Sequence, residues 1–437
     1  MNIIGNRKQS IFFILQLSLT LMFFVQLSVF EIKIGLIVLA GLILLLTALI
    51  KPQYIFYLLV SLCSIEGFTA LQNISYPKIV GILLIMGLVL KIAVTKESIP
   101  QDDSYIYFYI FLAGSLVSFA FSKDLSISVQ TYITYISLFI FYVCARYFLR
   151  DIEEINRVLN YLFFSTLIVF AIFQVTGFSI KGHSRLSLGI GDPNEFASFI
   201  LVLIPFALYR VMSSSGFWRF SYWVILICFL FLFIFTFSRG GVLGFLGIMV
   251  VFVFYYSIRR LKQILFFILI LLAIAYFYIP DDFWFRISTI TNPELESEIG
   301  ESSIKVRIEN YQAALRMFLD YPLAGVGLSN FRFNSKNYGT SNELVTHNTY
   351  LEILTGGGLL SFIPFSLILI NCWKKIKIKK SYDEKIRNFL ICLKASFVSI
   401  LITSFFISGD HKKILWFSFA IISSSHYALK MKNCHIK

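Results

Sequence analysis

The sequence predicts an all-α protein: a polytopic transmembrane helical bundle of 12–14 spans with one large extracytoplasmic loop containing short helices. Three observations carry this expectation. The chain of 437 residues is 58% hydrophobic and 17% aromatic. Only 14% of it is charged, against roughly a quarter in a soluble domain. The charges fall in clusters, and the apolar stretches between them are long enough to cross a bilayer core of about 30 Å as helices. The formal net charge of +14 does not point to nucleic acid, because lysine and arginine collect in the cytoplasmic loops of membrane proteins.

The amino-terminal run 11–30 follows the basic "NRKQ" and is longer than a signal core of roughly 7–15 residues. No small-x-small cleavage pattern follows it, so it reads as the first span. The next six lie near 32–50, 54–70, 79–94, 105–121, 130–148 and 158–177. Glu66 and Gly67 interrupt the third of these. The remaining seven lie near 195–211, 221–238, 240–257, 263–279, 349–371, 388–407 and 413–429. The whole chain, 1–437, reads as a single integral membrane domain, with the large loop at 280–348 inside it.

Orientation follows from the basic residues. With the amino terminus inside and the spans alternating, 23 of the 38 lysines and arginines fall on the cytoplasmic side. "RRLK" at 259–262 and "KKIKIKK" at 374–380 anchor the second half independently of the first. Both termini are then cytoplasmic. Residues 178–194, the seam at Arg239, the loop 280–348 and "SGDHKK" at 408–413 face outward. None of the six cysteines falls in an outer loop, and none shows CxxC or zinc-type spacing, so they read as small buried apolar residues. No metal or other cofactor is expected. "GVGLSN" at 325–330 has GxG spacing but follows no strand, which argues against a dinucleotide fingerprint.

The polar features of that outer face carry the functional signal. "FTFSRGGVLGFL", 235–246, places Arg239 between two apolar runs and before two glycines. A lone arginine there is read either as a side chain snorkelling from a helix end or as an anion site at headgroup depth. In the long loop, Ser302 and Ser303 are possible caps. Ile304, Ile308, Tyr311, Leu315 and Phe318 then recur at helical spacing, so an amphipathic helix is expected on the membrane surface or over a cavity mouth. Arg307 lies beside that apolar face, and Arg316 reads as solvated. "THNTYLEILTGGGLL", 346–360, puts His347 where the loop enters a span. Imidazole takes a proton near neutral pH, although a histidine at a helix start is more often structural. Asn348 and Thr349 are candidate caps, and Glu352 a candidate partner for His347 or an arginine. Gly356, Gly357 and Gly358 are expected to kink the span near a polar cavity.

The ordered set "FSRGG", then "VRIENYQAALRMFLDYPLAGVGLSNF", then "HNTYLEILTGGG" resembles the O-antigen ligase and O-antigen polymerase superfamily, bacterial polytopic membrane glycosyltransferases. Upstream, "RLSLGIGDPNEFASFIL" at 185–201 is similar to an Arg-x(n)-Asp-Pro-Asn segment of that family, and the resemblance covers roughly 180–370. It implies a donor glycan linked through diphosphate to a polyprenyl lipid of the undecaprenyl type, and a glycan, lipid or other hydroxyl acceptor. It places the reaction at the outer face of the bacterial cytoplasmic membrane, in the synthesis of cell-surface polysaccharide such as O-antigen, capsule or exopolysaccharide. By the same matching, Arg239 and Arg307 would hold the diphosphate, with Arg185 a third candidate. His347 would be the general base of a metal-independent, inverting transfer. Arginine suits such a site, because its planar fork makes paired charge-assisted bonds to phosphate. His183 and Asp192 share the Arg185 loop without an assigned role.

The rival class is a transporter or flippase of a lipid-linked saccharide. Transporters place charges and broken helices near the midplane, often in repeats. Here the charges gather at outer helix ends and no repeat is seen. Polymerase and ligase share these motifs, and a shared fold does not choose between them.

Overall fold

The computed structural model describes residues 33–66, 69–71, 74–176, 185–266, 288, 303–341 and 343–434. The expected span 11–30, the expected span 263–279 beyond Phe266, His183 and the loop segment 289–302 lie outside the described residues. Twelve of the fourteen apolar stretches coincide with helices. Among the described residues, seven helices are long and apolar enough to cross a membrane, and shorter apolar helices accompany them. The protein is a multi-pass helical membrane protein.

The chain forms two compact units. The first takes in Met1–Cys63 and Thr69–Ile99. Its helices α1 (Lys33–Ile50), α2 (Pro52–Ser61) and α3 (Tyr76–Thr95) pack on one another. A two-stranded antiparallel ribbon, β1 (Thr69–Leu71) with β2 (Ile74–Ser75), precedes α3. The stretch expected to span 54–70 is helical only to Ser61 and tightens into a 3-10 turn at Leu62–Ile65.

The second unit comprises Ser64–Phe68 and Pro100–Lys437. Helices α4 (Tyr105–Val117), α5 (Leu125–Phe148), α6 (Ile152–Thr176), α7 (Pro193–Ser213), α8 (Gly216–Ile234) and α9 (Arg239–Tyr255) come first. After the loop helix α10 (Ser303–Asp320) follow α11 (Thr349–Lys375), α12 (Glu384–Thr403) and α13 (Lys413–Cys434). Helix α7 is buried on nearly every side, between α8, α9 and α12. Helix α9 can lie close to α12 because it presents glycines to it. A Cβ at Gly244 would stand 2.6 Å from Thr403 Cγ2, and one at Gly247 would overlap Ile402. Helix α11 packs along α4, and α13 along α5.

One end of this unit is fastened by a buried charge cluster. Asp102 accepts from Lys375 Nζ at 2.7 Å, Arg146 Nε at 2.9 Å and Tyr142 OH at 2.6 Å. Ser423 and Ser424 of α13 complete it, accepting from Lys375 at 3.0 Å and Arg146 at 3.0 Å. Burial alone would raise the Asp102 carboxyl, but Lys375, and after it Tyr142, hold it well below the usual carboxylate range. The cluster joins the start of α4 to α5, α11 and α13. Removing one partner of such a buried set costs about 3–5 kcal/mol.

Candidate active site

The seam that holds Arg239 is a helix start. Helix α8 ends at Ile234, the chain turns through Phe237 at φ +49°, and Ser238 caps α9. Its hydroxyl accepts from Gly241 N at 3.1 Å, which leaves Arg239 as the first residue of the helix, half-buried. Gly240 lets this end of α9 lie against Phe406, since a Cβ there would stand 2.7 Å from the Phe406 Cβ.

The Asp-Pro-Asn segment is also a helix start. Asp192 accepts from Asn194 N at 2.7 Å and Glu195 N at 3.0 Å, and Pro193 occupies the first turn of α7. Asn194 Oδ1 then joins this end of α7 to the α9 cap. It accepts from Ser238 Oγ at 2.9 Å and from Arg185 Nη2 at 2.9 Å. Arg185 Nε donates to Thr236 O at 2.9 Å, and Leu186 N to Phe235 O at 2.9 Å. Arg185 therefore engages at least two of its N–H groups in holding the 235–238 turn. These bonds support a positioning role for it.

Around His347 the polar neighbours are committed to structure. Asn348 is the cap of α11, accepting from Tyr350 N at 3.0 Å and Leu351 N at 3.1 Å. Thr349 donates to Ile407 O at 2.8 Å and accepts from Gly409 N at 2.9 Å. Glu352 does not reach the imidazole as expected; it accepts from Thr346 Oγ1 at 2.8 Å and Ser408 Oγ at 3.4 Å. The His347 imidazole makes no hydrogen bond among the described residues, and its backbone sits at φ +52°. For a residue with a Cβ that conformation costs about 1–2 kcal/mol. Burial pushes its pKa below the ordinary histidine value, and the Arg307 charge pushes it further, against an opposing pull from Asp192. At neutral pH the ring is uncharged and able to accept a proton.

Arg307 is brought to His347 by α10. Asn310 donates to Val345 O at 3.0 Å. Tyr311 OH donates to Phe405 O at 2.6 Å and lies 3.5 Å from His347 O. The Arg307 charge reaches both Tyr311 and His347. The buried face of α10 differs from the expected one. It is Ala313, Ala314 and Met317, packed with Val326 and Phe331, whereas Ile308 and Leu315 are 51% and 50% exposed. Small residues permit the close approach, and the larger apolar ones are left outward. Arg316 is exposed and donates to Tyr338 O at 3.3 Å.

The three glycines of α11 form a joint where the sequence suggested a kink beside a polar cavity. Gly358, at φ 59° and ψ −161°, breaks the helix. The chain after α10 docks into the break. Val326 N donates to Thr355 O at 2.8 Å and Gly327 N to Gly356 O at 3.0 Å. In return Leu359 N donates to Pro322 O at 2.9 Å and Leu360 N to Leu323 O at 3.1 Å. Gly325 and Gly327, at φ +68° and +98°, make the docked turn possible. "GVG" and "GGG" are thus two sides of one contact, which fixes α10 and its Arg307 relative to α11 and His347.

Arg239 and Arg185 meet at one turn, and Arg307 and His347 across the α10–α11 contact. The two sets are linked through Phe406, beside Gly240, and Phe405, which accepts from Tyr311. Sequence reasoning placed Tyr311, four residues after Arg307, on the apolar face and missed its hydrogen bond to Phe405, as it missed the capping role of Asp192. This is a multi-pass helical membrane protein in which Arg185 and Arg239 share one turn and Arg307 acts on an uncharged, half-buried histidine. The model of the O-antigen ligase family matches residues 224–366, taking in Arg239, Arg307 and His347 but not Arg185. That stretch is similar to the O-antigen ligase family, in line with the resemblance of the sequence motifs. No curated protein matches the chain.

Proposed function

We propose that the protein is a glycosyltransferase of the outer face of the bacterial cytoplasmic membrane, transferring or polymerising a polyprenyl-diphosphate-linked glycan as an O-antigen polymerase or ligase. The observation that carries this reading is His347: strained, half-buried, uncharged, without a hydrogen bond to its ring among the described residues, and within reach of the Arg307 charge. A histidine kept only as a cap would not be so placed, since Asn348 supplies the cap.

The acceptor hydroxyl oxygen attacks the anomeric carbon of the donor while the carbon–oxygen bond to the diphosphate breaks. His347 takes the hydroxyl proton, and polyprenyl diphosphate leaves with the bonding pair. Arg239 and Arg307 stabilise the charge that grows on the leaving diphosphate. The amino-terminal end of α9 adds its positive dipole end. A single displacement inverts the anomeric centre.

The test is a radiolabelled polyprenyl-diphosphate glycan presented to the purified protein in lipid nanodiscs with candidate acceptors. Transfer of label to an acceptor is expected, with release of polyprenyl diphosphate. Movement of the intact lipid across proteoliposomes without bond cleavage would instead make the protein a flippase. In a deletion strain, loss of long chains with single repeats retained identifies a polymerase. Long lipid-linked chains that accumulate untransferred identify a ligase.

A further inference from the structure

Helix α10 turns its small residues to the protein and its large apolar ones away from it. Ala313, Ala314 and Met317 are fully buried, whereas Ile308, Leu315 and Leu319 are exposed, Leu319 by 72%. These three stand at i, i+7 and i+11, so they form one row along the helix. Lys305, Gln312 and Arg316, all exposed, repeat that spacing three residues earlier and form a second row about 60° round the helix. The apolar surface runs on past the helix, because Tyr321 and Leu323 are exposed as well, Leu323 by 64%. A contiguous apolar surface of this kind marks a place where the molecule meets something.

What it meets follows from where the row leads. The Tyr321 ring lies against Phe121, with 6.1 Å between centroids, and Phe121 closes the 3-10 turn Ser118–Phe121 that follows α4. Leu323 O accepts from Leu360 N of α11 at 3.1 Å. Phe121 and Leu360 are themselves exposed, and each begins an exposed apolar flank of its helix. On α4 that flank holds Leu116 and Val117, and on α11 it holds Ile363, Leu367 and Ile370. In a chain that crosses a membrane such flanks face acyl chains, which are as apolar as leucine. The α10 row continues that surface beyond the end of the spans without a polar border. Tyr321 suits the edge of the bilayer, since its ring is apolar and its hydroxyl polar. The second row fits the same place, because lysine and arginine lay their stems on apolar surface and hold their charges at phosphate depth.

We propose that α10 is an interfacial helix. Ile308, Leu315, Leu319 and Leu323 are sunk among the lipid acyl chains beside α4 and α11, and Lys305 and Arg316 stand at the lipid phosphates. The inference does not depend on the glycosyltransferase reading, but it gives that reading a reason for the position of Arg307. Arg307 lies on the other flank of the apolar row from Lys305. A helix immersed to this level carries Arg307 at the depth of phosphate groups, where the diphosphate of a membrane-borne donor also lies. The bilayer then positions Arg307 from one side, as the α10–α11 joint does from the other.

The experiment uses the full-length protein in nanodiscs of phosphatidylethanolamine and phosphatidylglycerol. A fluorescent amino acid is placed at position 319 and, as the aqueous control, at position 336, where Lys336 is exposed in the same loop. The quenchers are iodide in the water and nitroxide lipids labelled at the headgroup, high on the acyl chain or near its end. Interfacial helices sink about 5–10 Å, so the probe at 319 should be quenched most by the label high on the chain and little by iodide. The probe at 336 should respond to iodide. Quenching by iodide at 319 as strong as at 336 overturns the proposal. Protection from iodide without quenching by any lipid overturns it too, and means that a second copy or another protein covers the row. Leu315→Glu changes an exposed site and leaves the core intact. It should move the profile at 319 toward the headgroup label and the water, and an unchanged profile overturns the proposal. Depth is read without donor, so a wild type that cleaves no polyprenyl-diphosphate glycan refutes the glycosyltransferase reading alone.

Discussion

Replacing Gly358 with alanine tests whether the α10–α11 joint holds the candidate site together. Gly358 lies at φ 59° and ψ −161°, a region essentially confined to glycine, where a side chain costs about 1–3 kcal/mol. The added Cβ would overlap the Leu323 carbonyl and stand 2.7 Å from Ala324 N. These are backbone atoms and cannot rotate away, so the joint must open. The bonds from Leu359 N to Pro322 O and Leu360 N to Leu323 O are then lost, at about 0.5–1.5 kcal/mol each. The sum is roughly 2–6 kcal/mol, a large share of ordinary folding stability. Gly356→Ala is the control. Its Cβ would meet Leu328 Cα and Gly327 O at 3.4 Å, ordinary contact, and a helical alanine regains up to about 1 kcal/mol. Apparent unfolding temperature in detergent and glycan transfer in nanodiscs are the two readouts. Gly358→Ala should lower the first by several degrees and cut the second at least tenfold, by moving Arg307 away from His347, while Gly356→Ala should alter neither much. A Gly358→Ala protein with wild-type unfolding temperature and transfer would show that the joint does not position the site.

His347→Ala and His347→Gln should both lose about 10²–10⁴ in rate while retaining donor binding, and an active glutamine variant would return His347 to a structural role. The wild-type rate should fall on the acid side only below the usual histidine range, because burial and Arg307 hold the imidazole neutral. Arg307→Gln removes a repulsion and should move that limb to higher pH. Asp192→Asn keeps a capping side chain but removes an attraction, and should move it lower; shifts of one sign in both would contradict the geometry. Arg239→Ala and Arg307→Ala should each cost about ten- to hundredfold in transfer, with lysine restoring only part, and full activity at normal protein levels would leave them as membrane anchors. For topology, Lys336→Cys, at an exposed position beside the buried Ser335, should react with an impermeant thiol reagent in spheroplasts. Ser381→Cys should not, and the reverse pattern would invert the protein.

The spans were readable because lipid demands long apolar runs, and twelve of the fourteen stretches are helices in the described structure. Arg239 and His347 stood out because a charge or an imidazole between apolar runs needs a reason. What was not readable depended on partners distant in sequence. Gly356–Gly358 read as a kink because nothing local says that Pro322–Gly327 docks into the break. The face of α10 was misjudged because helical periodicity favours large apolar residues. Close packing selected Ala313 and Ala314 instead. Glu352 lies near His347 in sequence, yet its carboxylate turns to Thr346 and Ser408, the latter brought by the segment between α12 and α13. The bonds that tie Arg185 to the 235–238 turn were not readable, because Thr236 and Asn194 come from two other elements.

The fastening of α11 bears on when the chain becomes competent during its own synthesis. Lys375 anchors one end of the helix to Asp102, 273 residues earlier, and to Ser423 of α13. Thr349 anchors the other end to Ser404, Ile407 and Gly409, which are translated after α12 is nearly complete. A nascent chain that has just emerged past α11 holds Arg239, Arg307 and His347, but neither end of the helix behind His347 has its full set of partners. A chain that stalls before α12 thus holds every candidate residue while both ends of α11 still lack partners. The full set of partners at the Lys375 end of α11 is present only once α13 is made.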